Sequence, residues 1–307
     1  MKRICKLFSF VIVFALTVSI IAGCAGIKSN TVVFIPQLLG DEYWNNLSDK
    51  LQKEIEAGGY DYKQMGPDEW DSKKQAEVIK QAVKEKSHAI VLAPVSNEVS
   101  NLFDAIKEAN KAKIPVILID TDIDRNLLAS DGVEITTFVG VDNYDSGKEI
   151  ADKVAENLVN NSQVAIVDGS TDSLNGVYRC DGFADGIKNK GMNIVSRITT
   201  SWSEDEAYTN TKLLLEAYPD IKAIFTVNSN VYKGAIKAIT ESGKSIITAT
   251  FDCDDTTKKG FDEDLLLCTF NQSAENMSKS VAEVLKDLDN GKTVDSVTKS
   301  KGELITK

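Results

Sequence analysis

Short apolar runs rich in β-branched residues recur along the chain, and each stops abruptly at a polar or acidic residue. Ile114-Pro115-Val116-Ile117-Leu118-Ile119 runs into Asp120-Thr121-Asp122, Thr31 to Ile35 into Pro36-Gln37, and Ala89 to Leu92 into Ala93-Pro94-Val95-Ser96. The pattern returns at Phe138 to Val141 before Asp142-Asn143, and at Val164 to Val167 before Asp168-Gly169-Ser170. It returns again at Ala223 to Val227 before Asn228-Ser229-Asn230, and at Ile246 to Phe251 before Asp252-Cys253-Asp254-Asp255. Consecutive apolar positions over so few residues predict strands buried on both faces, the kind found in parallel sheets covered by helices. In open sheets of that kind, ligands sit just past the carboxyl ends of the strands. Asp120 stands at such an end.

Between the runs the apolar period lengthens to that of helices. Leu47, Leu51 and Ile55 form one stripe, with Asp41 placed as its N-cap and Gly58-Gly59 as its end. Tyr43 and Trp44 fall in its first turn, next to the carboxyl edge of the sheet. Two readings fit them: a staple packing the helix onto the sheet, or an aromatic platform for the C–H face of a sugar ring. Further helices are predicted over 72–86, 96–112, 146–160, 174–190, 204–217 and 231–242, with a strand over 193–199. Another opens at Asn271-Gln272-Ser273, carries Met277, Val281, Val284, Leu285 and Leu288 inward, and ends at Gly291; Val294 to Thr306 reads as an extended tail. Near Val141-Asp142-Asn143 the alternation begins again, so two βα blocks of similar size stand in series.

The first residues follow a different rule. Met1-Lys2-Arg3-Ile4-Cys5-Lys6 is basic, and Leu7 to Ile21 is an apolar core of fifteen residues interrupted only by Ser9, Thr17 and Ser19. That is short for a membrane span, which needs about twenty residues, and fits the apolar region of a signal peptide. Ile21-Ala22-Gly23-Cys24 resembles a bacterial lipobox, with Ile in place of the commoner Leu. The resemblance implies a signal peptide over 1–23, acylation of Cys24 and a tether over 24–30. Acyl chains would anchor the protein at ~0.8 kcal/mol per buried CH₂.

Composition narrows the function. The chain has 307 residues, 42% of them hydrophobic and 26% charged, as in an ordinary globular protein. A net charge of −11 argues against nucleic acid or an anionic membrane surface as partner. Five cysteines and one histidine, His88, offer no zinc or haem spacing, so no metal and no cofactor is expected. Cys180, Cys253 and Cys268 are read as free thiols, with a Cys180–Cys253 disulfide left open. Asp120, Asp122, Asp124 and Asp131 have the spacing of a calcium loop, but Arg125 stands where that loop needs its glycine and Asp131 where it needs glutamate. Asp122, Asp124 and Asp131 read instead as solvated loop carboxylates. No Gly-x-Ser-x-Gly, Gly-x-Gly-x-x-Gly or P-loop motif occurs, and His88 opens a strand, away from the carboxyl edge. An enzyme is therefore not expected, although Asp120 and Asp252 could mimic a glycosidase pair.

In this order and spacing, several stretches resemble one family, the type I periplasmic binding proteins, in the ribose-binding-like branch that serves sugar ABC transporters. They are Ile114 to Asp120, Arg179-Cys180-Asp181-Gly182-Phe183, Tyr218-Pro219-Asp220-Ile221-Lys222-Ala223-Ile224-Phe225, and Phe251-Asp252, and the likeness spans nearly all of Thr31 to Thr306. It implies an α/β fold of two Rossmann-like lobes, each a parallel sheet flanked by helices, joined by a three-crossing hinge around a ligand cleft. The crossings would fall near Val141-Asp142, Asn271-Gln272 and Val297-Thr298. The first lobe would then hold 31–141 with 272–297, and the second 142–271 with 298–307. The resemblance places Asp41, Tyr43, Trp44, Asp120, Arg179, Trp202, Asn228, Asp252 and the hinge amide Asn271 in the cleft, with Trp44 and Trp202 sandwiching the ligand. Read as chemistry alone, Arg179 could instead pair with Asp181 or Asp252, Asp252 could cap a helix, Trp202 could be core, and Asn228 and Asn271 could be turn residues.

Carboxylates accept hydroxyl donors, while Arg179 and the amides donate to hydroxyl lone pairs, which suits a neutral polyol. The implied protein is an extracytoplasmic, lipid-anchored monomer on the outer face of the bacterial cell membrane. It would capture a ribose- or galactose-like monosaccharide and deliver it to an ABC transporter permease. The alternatives are presentation of the ligand to a membrane sensor kinase, or a carbohydrate-active enzyme. Thr121 stands where ribose-like members often carry arginine, and Asn271 where the hinge amide is often glutamine, so the identity of the sugar stays open.

Overall fold

The apolar runs become strands in the computed structural model, which describes residues 29–95 and 98–307. The predicted signal segment, the lipobox with Cys24 and most of the tether lie outside the described residues. β1 (Thr31–Ile35), β2 (Asp61–Gln64), β3 (Ala89–Leu92), β4 (Val116–Ile119), β5 (Thr137–Gly140) and β11 (Val297–Lys299) form one sheet. Its order is β2-β1-β3-β4-β5-β11, and every pairing is parallel. β6 (Gln163–Asp168), β7 (Asn193–Thr199), β8 (Ile221–Thr226), β9 (Ile247–Phe251), β10 (Cys268–Asn271) and β12 (Glu303–Thr306) form the second, in the order β7-β6-β8-β9-β10-β12. Only its last pairing, β10 with β12, is antiparallel. The two sheets thus repeat one winding, with a topological switch point between β1 and β3 and again between β6 and β8. Ligand crevices form at the carboxyl ends of such points.

The helices cover both faces of each sheet. They are α1 (Glu42–Ala57), α2 (Ser72–Lys84), α3 (Phe103–Lys111), α4 (Arg125–Asp131), α5 (Asn143–Ala155), α6 (Leu174–Asn189), α7 (Glu204–Ala217), α8 (Ser229–Ser242), α9 (Asp255–Asp262) and α10 (Ala274–Asp289). Alternate residues of β1 show the layering. Val32 and Phe34 pack with Leu47 and Leu51 of α1 and with Met277 and Val281 of α10, whereas Val33 and Ile35 pack with Ile79 of α2 and Ile106 of α3. This is the period-two alternation of a strand buried on both sides. The second lobe has a core of its own around Ile166, Phe183, Phe225 and Phe251.

Two local expectations are corrected. The residues after Asp122 are not a plain loop: Asp124 accepts from the backbone N–H of Asn126 and Leu127 and caps α4. The extended tail is two strands in different sheets. Val297–Lys299 pairs β5, so the chain passes between sheets over Ser300-Lys301-Gly302, beyond the expected Val297-Thr298. The other passages follow β5, at Val141-Asp142, and β10, at Gln272-Ser273. Lys299 Nζ bonds the Asp142 carboxylate at 2.7 Å, which ties the first passage to the third. Cys180, Cys253 and Cys268 are free thiols, and His88 lies against Tyr60 and Asp289 at the amino edge of β3.

Candidate functional site

Asp120 and Asp252 hold equivalent places in the two lobes. Each follows the fourth strand of its block, β4 or β9, and each donates its backbone N–H to a carbonyl of the fifth, Val139 or Phe270. Both have left-handed backbone, at φ 64° and 73°. Non-glycine residues in that region cost of order 1–3 kcal/mol and cluster at ligand sites. The two carboxylates lie close enough to act on each other and on Tyr43 of the first lobe.

Around Asp120 the partners are neutral hydroxyls. Tyr43 donates its phenol O–H to Oδ1 at 2.6 Å, and Thr121 donates to Oδ2 at 2.9 Å. Gln37 holds Thr121 in place, donating to its hydroxyl and to the Pro94 carbonyl across the switch point. Behind it the fully buried Gln75 donates to the Pro36 and Ala93 carbonyls and accepts from Val95 N–H. Burial first, then the Asp120 and Asp252 carboxylates, hold the Tyr43 phenol well above its usual range, so it remains a donor.

The second lobe supplies the opposite charge. Arg179 on α6 is 2% exposed, and its guanidinium lies over the Phe251 ring at 4.2 Å. Its Nε donates to Asn143 Oδ1 at 2.8 Å and its Nη1 to the Val227 carbonyl at 3.3 Å, while its buried Nη2 has no partner. Asp252 Oδ1 accepts from Gln272 Nε2 at 2.7 Å. Burial pushes the Asp252 carboxyl up, against the pull of Arg179 and Gln272. Among the described residues, none of Asp120, Asp252 and Arg179 belongs to an ion pair. Two acceptors and one donor therefore face the same space with capacity to spare, an arrangement able to hold several hydroxyl groups.

The remaining expected residues divide. Trp44 is 5% exposed and lies in the first-lobe core, edge-on to Tyr43 at 4.9 Å. It shares the apolar stripe of Leu47, Leu51 and Ile55, so helix period turns it toward the sheet. Trp202 lies against the backbone of Gly169 and Gly176, where an added Cβ would come 2.6 and 3.0 Å from its ring. Its backbone is left-handed, φ 62°, and Asn230 bonds its carbonyl. Asp41 accepts from Trp44 N–H and caps α1; Asn228 accepts from Val231 N–H and caps α8. Asn271 accepts from Ser273 N–H in the turn after β10. The amide that reaches the carboxylate is its neighbour Gln272, which is 4% exposed. Sequence reasoning missed Gln272 because period two alone does not tell which of two adjacent amides ends a strand facing inward. It also missed Gln37, Thr121 and Asn143, whose only signal was position just past a strand end.

Residues 32–293 match the model of the periplasmic binding protein domain family. The chain is 26% identical over 217 residues to the D-ribose/D-allose-binding protein of Pseudomonas aeruginosa, covering 70% of this chain and 67% of that protein. It is 23% identical over 295 residues to the ribose import binding protein RbsB of Escherichia coli, covering 96% of this chain and 95% of the relative. Among solved structures, an ABC transporter solute-binding protein of Burkholderia multivorans superposes with a TM-score of 0.81 at 26% identity, over 91% of this chain and 100% of its own. One from Actinobacillus succinogenes, solved with bound D-allose, gives 0.83 at 21% identity, over 90% and 97%. The chain belongs to the periplasmic binding protein family, as a type I member of the ribose-binding-like branch.

Proposed function

We propose that the protein is an extracytoplasmic lipoprotein that captures a neutral monosaccharide between its lobes and delivers it to an ABC transporter permease. The observation that carries this reading is the set of three buried or half-buried charged groups, each hydrogen-bonded only by neutral neighbours and none ion-paired. Asp120 and Asp252 take ligand hydroxyls, and the unpartnered Nη2 of Arg179 donates to a ligand oxygen. Hydrogen bonds to charged groups contribute roughly 1.5–3 kcal/mol each, so a few define specificity. Tyr43, fixed on Asp120, borders the sugar with its ring and hydroxyl, and Trp202 offers a face from the second lobe. The names of the relatives, which bind ribose, allose and apiose, support a pentose or hexose of this kind. Closure by hinge motion at the three passages would seal the ligand in, and the lipid on Cys24 would hold the protein beside its permease.

A thermal-shift screen of pentoses, hexoses and polyols tests the reading. At a hundred times its dissociation constant, a true ligand adds about 2.7 kcal/mol of stability. Arg179→Ala is expected to abolish that shift while the far-ultraviolet circular dichroism stays native. A full panel of monosaccharides without any shift would refute the sugar reading, and turnover of a disaccharide would refute the binding-only role.

A further inference from the structure

Beside the charged cluster lies a hollow of about 260 Å³ that spans both lobes at the hinge. Its walls are mainly apolar and aromatic, with Phe138 from the first lobe and Tyr144, Leu174 and Tyr178 from the second; the amides of Asn143 and Asn175 and the Asp142–Lys299 ion pair also line it. It is continuous in structure with the site already described. Asn143 is the acceptor for Arg179 Nε, Asn175 stands one helical turn before Arg179 on α6, and Asp122, also on its wall, is two residues past Asp120.

Two features point to an occupant. Asn143 and Asn175 are 7% and 8% exposed, and both spend their oxygens on protein donors. Neither side-chain NH₂ has a protein acceptor among the described residues, so two water-accessible amide donors on the wall are left for a ligand. Tyr178 is 46% exposed at the mouth, an aromatic face with nothing packed on it to shield it from water. Flat apolar walls with amide donors between them suit a planar ring that carries acceptor atoms on its edge. A bare monosaccharide held by Asp120, Asp252 and Arg179 leaves these donors unused.

We propose that the ligand is a glycoside whose sugar occupies the charged cluster and whose flat, acceptor-bearing aglycone, as in a nucleoside, occupies this hollow. The inference rests on the sugar-binding reading above and narrows it. Calorimetric titration of the full chain tests it, comparing D-ribose with uridine and adenosine, and free hexoses with their p-nitrophenyl glycosides. At least one glycoside is expected to bind tenfold or more tightly than its free sugar. Tyr178→Ala is expected to remove that advantage and leave free-sugar affinity unchanged, while Tyr178→Phe retains it. Free sugars binding as tightly as all their glycosides, or Tyr178→Ala weakening both alike, would overturn the aglycone site and leave the sugar site standing. Binding of neither class would overturn both.

Discussion

Asp252 combines two demands at a single residue: it is held from water by the fold, yet keeps acceptor capacity for a ligand. Burial raises its carboxyl in the folded protein, while in the unfolded chain aspartate titrates near about 3.9. Between those two points the folded state holds the proton more tightly, so this residue's contribution to stability falls as pH rises through the window. Asp252→Asn keeps the acceptor for Gln272 and cannot ionise. The variant is expected to melt higher than the wild type at neutral pH, with the difference vanishing below the ordinary carboxylate range, and to lose sugar binding; melting curves across pH check it. Asp41 differs in kind. Its side chain caps α1, so Asp41→Ala is expected to cost about 1 kcal/mol of stability in chemical denaturation and to leave ligand affinity unchanged.

At the level of elements, the second lobe depends on how closely α5 and α6 approach. A Cβ on Gly182 would come 2.0 Å from the Tyr144 carbonyl, and one on Gly147 would come 2.2 Å from the Arg179 carbonyl. The helices therefore touch backbone to backbone, and that contact sets the depth of Arg179 beneath the cleft. Forcing a side chain into such packing costs typically 1–3 kcal/mol. Gly182→Ala is expected to lose stability in that range by urea denaturation, and to weaken sugar binding because the α6 backbone that carries Arg179 must move. Gly186 extends the same seam, with Ala151 beneath it.

In the whole molecule the chain passes three times between the two sheets. The Asp142–Lys299 pair ties the first passage to the third, and the Thr137 and Thr298 hydroxyls hold β11 on β5 just before it. A short hinge flanked by two rigid cores lets each lobe move as a body. The proposed attachment is through Cys24. Cys24→Ala, expressed in a bacterial host, is expected to abolish incorporation of radiolabelled palmitate and release the protein from the membrane fraction, with sugar affinity unchanged. Membrane retention of the variant with its label intact would remove the lipid anchor from the proposal.

Strand positions, the serial βα blocks and the polar residues past strand ends were legible in the amino-acid order, because they depend on local period and abrupt changes of polarity. The inward stripe of α1 was equally legible, and Trp44 lies on it. Which of two adjacent residues reaches a carboxylate was not, as Gln272 on Asp252 beside Asn271, and Tyr43 on Asp120 beside Trp44, show. That choice follows from the rotation of a helix or strand end against a partner far away in the chain. The same holds for β11 and β12, too short to declare a sheet by pattern and assigned only by the edges left open to them. The left-handed turns at Asp120 and Asp252, the Gln37 and Gln75 links across the switch point and the unpartnered Arg179 Nη2 are tertiary outcomes. Each needs distant backbone groups brought within hydrogen-bond range, which local propensity does not encode.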